Sequence, residues 1–98
     1  MVSMYMEVTM SIDTIYAQTV ARLAAEKGLD LKELAHKVLG LSTPDISVRE
    51  LRRVMRPDEK GRLRNLTLRE AYELSRHLNE TIETVIAYAL RDLTQKGS

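Results

Sequence analysis

The sequence predicts an all-α domain of five short helices, and three observations carry that prediction. Apolar residues recur at three- and four-residue spacing through most of the chain. Helix-opening pairs, an oxygen-bearing residue followed three positions later by glutamate, stand at Asp30–Glu33, Ser47–Glu50 and Thr67–Glu70. Glycine, proline or asparagine closes most of the periodic stretches. The 98 residues make one domain by size and can bury a modest core without staples.

The first helix is expected from Ser11 to Lys27, with Tyr16, Val20, Leu23 and Ala24 on its apolar side and Gly28 as its stop. In "DLKELAHKVLG", Asp30 caps a second helix that buries Leu31, Leu34, Ala35 and Val38 and ends at Gly40. The stretch "LSTPDI" is a turn, because Pro44 excludes a continuous helix through it. A third helix starts either at Ser47, with Glu50 completing the box, or earlier at Thr43 with Pro44 as its first residue. It runs to about Met55, and Pro57 stops it. "PDEKGRLRN" is a polar loop around Gly61. Thr67 opens a fourth helix expected to bury Leu68, Ala71, Tyr72, Ser75 and Leu78, and Asn79 closes it. Thr81 caps a fifth carrying Ile82, Val85, Ile86, Ala89 and Leu93. The domain spans residues 13–94, and 95–98, "QKGS", reads as a disordered tail.

Residues 1–12 break the helical pattern. Val2, Met4, Met6, Val8, Met10 and Ile12 alternate with Ser3, Tyr5, Glu7, Thr9 and Ser11, a period-two strand signal. A lone strand leaves its backbone groups unpaired, so the expected partner is the same strand of a second copy, antiparallel about a two-fold axis. The competing reading is a disordered leader, with translation starting functionally at Met10. The fifth helix, through Tyr88, is the alternative dimer surface.

Net charge is only +1, but it is unevenly placed. Residues 49–69 hold eight basic and three acidic side chains, and the remainder holds seven basic and eleven acidic. A short region of +5 against −4 elsewhere points to a polyanion partner. At about 100° per residue, Val48, Leu51, Val54 and Met55 share one side of the third helix, and Arg49, Arg53 and Arg56 fall opposite within about 60° of one another. Arg52 lies at the edge between the faces. Stacked arginines repel, and helix stability does not call for them. Guanidinium forks do suit guanine edges and phosphate oxygens. Arg49 and Arg53, with Thr43, Ser47 and Glu50 at the helix start, are therefore the candidate base contacts. Arg52, Arg56, Lys60, Arg62, Arg64 and Asn65 are the candidate phosphate contacts.

"GLDLKELAHKVLG", a short turn and a further helix together resemble the helix-turn-helix of the phage-repressor (Cro and XRE-like) family. "NLTLREAYELSRHLNETIETVIAYAL" is similar to that family's fourth and fifth helices. The likeness runs from about Tyr16 to Leu90. It implies a five-helix lambda-repressor-like domain, sequence-specific double-stranded DNA binding, and a small transcriptional regulator acting as a homodimer. It also implies that the helix from Thr43 or Ser47 enters the major groove and that Lys32 meets phosphate. The chain departs from the family pattern in lacking a glutamine at the start of the second helix. Its turn before the third helix is about two residues longer, its following loop is long, and a glycine is displaced to Gly61.

Other functions are less well matched. The chain has no cysteine, hence no disulfide, thiolate metal site or thiol nucleophile, which fits a reducing cytoplasm. No apolar run approaches a membrane span, and no signal peptide is evident. His36 and His77 lie on different helices, and no glycine-rich phosphate loop, cofactor box or effector site is evident, so no enzyme and no cofactor is expected. The competing function is a protein-interaction module such as an antitoxin-like helical domain, which would expose aromatic and aliphatic anchors. A ribbon-helix-helix protein would turn Glu7 toward DNA and leave residues 47–93 unexplained.

Overall fold

Ser11 opens the first helix by accepting a hydrogen bond from the Thr14 backbone N–H at 3.2 Å. The computed structural model describes residues 11–56, 60 and 63–97, and the expected strand of residues 1–10 lies outside them. Helix α1 spans Ile12–Glu26, α2 Leu31–Leu39, α3 Pro44–Met55, α4 Leu68–His77 and α5 Ile82–Gly97. Among the described residues there is no strand.

The stops act as expected from backbone geometry. Gly28 and Gly40 adopt φ of +72° and +67°, where a side chain would be strained. Past α1, Leu29 N–H returns to the Ala24 carbonyl at 2.8 Å. Asn79, also left-handed at φ +63°, lets Glu80 N–H return to the Ser75 carbonyl after α4.

Helix α1 is the centre of the fold and packs on all four others. Its buried Tyr16, Ala17, Val20, Leu23 and Ala24 join Leu34, Ala35 and Val38 of α2, Val48, Leu51 and Val54 of α3, Leu74 and Leu78 near α4, and Val85 of α5. Helices α2 and α3 form a tightly packed pair across the Gly40–Thr43 turn, and α3 packs on α1 and α2. Helix α5 instead packs on α1 and α4, away from α3. The Tyr16 hydroxyl donates to the Ala71 carbonyl at 2.7 Å, and burial pushes its pKa up to about 12.

One open alternative is decided, and two expectations are corrected. Helix α3 starts at Thr43, whose hydroxyl accepts from Ile46 N–H at 3.1 Å, with Pro44 as first residue. Ser47 is therefore inside the helix and does not cap it. Leu68 and Tyr72, expected in the core, are 77% and 51% exposed. The rotation of α4 that buries Leu74 and Ser75 carries those two beyond its inward edge. Helix α5 continues to Gly97, through most of the expected tail.

Candidate nucleic-acid interface

The site is built on α3. Its inner face holds Ser47, Val48, Leu51 and Val54. Two α1 side chains fix its C-terminal end: the Thr14 hydroxyl donates to the Val54 carbonyl at 2.9 Å, and the Gln18 amide donates to the Met55 carbonyl at 3.0 Å. These bonds satisfy carbonyls that a helix end leaves open and hold α3 to the body of the domain. Neither Thr14 nor Gln18 belongs to any periodic signal in the sequence.

On the outer face Arg49 and Arg52 are exposed, and neither has a carboxylate partner among the described residues. Arg56 follows the helix in extended backbone, φ −159° and ψ 153°, so it leaves the line of the helical stripe. Arg53 is half-buried and paired with Glu50 at 3.1 Å. The two arginines differ in exposure from what ideal helical angles give. Arg52, placed at the edge by ideal helical angles, is open to solvent, whereas Arg53 lies back along the helix against Glu50.

The loop explains this. Arg64 N–H donates to the Arg53 carbonyl at 3.2 Å, which brings the chain alongside the end of α3. The Arg64 guanidinium then bonds the Glu70 carboxylate at 3.1 and 3.3 Å, with Glu50 at 3.7 Å. The same Glu70 caps its own helix by accepting from Thr67 N–H at 3.0 Å. Burial alone would raise the Glu70 carboxyl, but the Arg64 and Thr67 hydrogen bonds and the Arg64 charge outweigh it and hold the group below its ordinary value. Beside this cluster, Leu66 N–H donates to Asp13 at 2.9 Å, tying the loop exit to α1.

Every expected site residue but Arg62 lies among the described residues. Ser47, expected at a base edge, is 0% exposed, with its hydroxyl 3.4 Å from His36 Nδ1. Arg64, expected at phosphate, bridges the loop and α4, with its charge met by the Glu70 carboxylate and Glu50 at 3.7 Å. Glu50 is likewise taken up by Arg53 and Arg64. Thr43 is exposed but uses its hydroxyl as the cap. Lys32 is exposed and pairs with Asp45 at 3.1 Å. Lys60 and Asn65 are exposed on the loop, the Asn65 carbonyl accepting from Arg64 at 3.3 Å. Arg62 lies outside the described residues. Glu70 is the residue the sequence reading missed. Its capping-box position was the available signal, but nothing in that box foretold a second, ionic partner.

Among the described residues, no group of three His, Asp or Glu side chains is placed to hold a metal ion. None of the described helices is long and apolar enough to cross a membrane. Comparison of the chain with family models, curated proteins and solved structures gives no match.

Proposed function

We propose that this protein binds double-stranded DNA sequence-specifically as a small transcriptional regulator, with α2 and α3 acting as a helix-turn-helix of phage-repressor type. The observation that carries the reading is the outer face of α3: Arg49 and Arg52 are exposed and not engaged by carboxylates, on a helix whose other side is locked into the core. Such a helix fits the major groove, where these two guanidinium groups take guanine edges. Thr43 lies at the entering end. Lys32, Arg56 and Lys60 flank the helix as phosphate contacts, while Arg53 and Glu50 form a held pair at its edge. A homodimer follows from the same reading, since one short helix covers few base pairs and two give half-sites about one turn apart.

A specific observation favours a second reading, a protein-interaction module. Leu68, Tyr72 and Leu90 are half or more exposed, the kind of anchors a binding face presents. Selection of bound sites from random duplex DNA separates the two. Enrichment of a defined motif supports the first, and recovery of unenriched sequence at low salt removes it. Light scattering of the full chain tests the dimer, which requires twice the mass of one chain.

A further inference from the structure

Helix α3 carries two carboxylates, and they differ in what holds them. Glu50 is half-buried and meets Arg53 and Arg64. Asp45, in the first turn, has a side chain that is 82% exposed. Its Oδ1 accepts from Lys32 Nζ at 3.1 Å, and its Oδ2 has no partner among the described residues. At about 100° per residue, Asp45, Arg49 and Arg52 fall within about 60° of one another, and all three are exposed. The outer row of α3 is therefore one acceptor followed by two donors.

The fold does not account for Asp45 in that row. An ion pair as exposed as Lys32–Asp45 adds little to stability. A first-turn carboxylate favours the helix dipole whichever way it faces. On a surface that meets DNA, a carboxylate is repelled by phosphate and needs a donor to meet it. Lys32, at the start of α2, offsets the repulsion on one side and leaves Oδ2 open.

Base edges in the major groove offer few donors. Guanine shows two acceptors, and thymine an acceptor and a methyl group. Adenine shows its amino group beside an acceptor that would face the second carboxylate oxygen, whereas cytosine shows its amino group alone. Cytosine is thus the base whose edge a carboxylate fits.

We propose that Asp45 is a specificity-determining residue, its Oδ2 accepting a hydrogen bond from the N4 amino group of a cytosine. The proposal rests on the reading of α3 as a DNA-recognition helix. Four residues of helical rise put Asp45 about 6 Å along α3 from Arg49, or about two base steps. The cytosine therefore belongs to the same half-site as the guanine that Arg49 takes.

The test is selection of bound sites from random duplex DNA by the full chain and by Asp45→Ala, Asp45→Asn and Lys32→Ala, with a melting curve for each. The parent should enrich a motif containing the cytosine. Asp45→Ala should lose about 5- to 150-fold of discrimination at that position alone, with its melting curve little changed. Asp45→Asn should move the preference to adenine, whose amino group and N7 an amide takes together. Lys32→Ala should weaken binding to all duplexes alike and keep the cytosine. If Asp45→Ala enriches the parent's motif, the proposal is overturned while the DNA reading of α3 stands. The same holds if Asp45→Ala weakens all duplexes alike, which would make Asp45 only a holder for Lys32. A parent chain that enriches no motif overturns the DNA reading itself, and the proposal with it.

Discussion

Replacing Arg64 by alanine separates a structural clamp from a DNA contact. The substitution removes two hydrogen bonds to the Glu70 carboxylate, at 3.1 and 3.3 Å, and leaves a side chain that is only 8% exposed with Thr67 as its remaining partner. Hydrogen bonds to charged groups contribute about 1.5–3 kcal/mol each when buried, and the partial exposure of Arg64 discounts the pair to about 2 kcal/mol in total. That is roughly thirtyfold in the folding equilibrium. For a chain of this size it lowers the thermal midpoint by about 8–16 °C. The pH dependence has a definite sign. In the parent protein the Glu70 carboxyl lies below its ordinary value of 4.5, so its contribution is present above that value and is lost as pH falls through the lower, folded one. Without Arg64 the largest lowering influence on the group is lost and it rises from the parent's folded value, so the variant's deficit relaxes as pH falls. Melting curves followed by circular dichroism from neutral to acid pH provide the assay. An unchanged midpoint at neutral pH, or a deficit that widens in acid, would refute the reasoning.

Other outcomes follow from the same geometry. Arg49→Ala and Arg52→Ala should each cost about 1–3 kcal/mol of affinity and relax preference at one base position, measured on matched and mismatched duplexes. Ser47→Ala should leave base preference unchanged in the same assay, because the hydroxyl is buried against α2, and should cost about 1 kcal/mol of stability. Gly40→Ala should destabilise by about 1 kcal/mol from backbone strain alone, since the space around its Cβ is open, and thermal melting reads it.

Local chemistry made most of the helix boundaries legible. The cap at Asp30, the box at Thr67 and the stops at Gly28, Gly40 and Asn79 act through bonds within a few residues, which sequence spacing reports directly. The start of α3 shows the limit: Ser47–Glu50 matches the same pattern, but Thr43 with Pro44 supplies a cap one turn earlier. Helical angles separated the apolar and basic sides of α3, yet they could not say which arginine stays open. That depends on Glu50 within the helix and on Arg64 arriving from the loop, a contact between distant positions. Leu68 and Tyr72 fit a helical apolar pattern, and only the packing of α4 against its neighbours decides that they face outward.

The central claim, that the open arginines of α3 meet DNA, is tested most directly by the salt dependence and sequence preference of binding. The full chain is compared with the Arg49→Ala, Arg52→Ala double variant on a selected duplex and on a scrambled one. The account predicts that the parent binds the selected duplex with a linear fall of log affinity against log salt. The double variant should lose most of the preference between the two duplexes while its melting curve stays unchanged. Equal affinity of parent and variant for both duplexes, at every salt concentration, would contradict it.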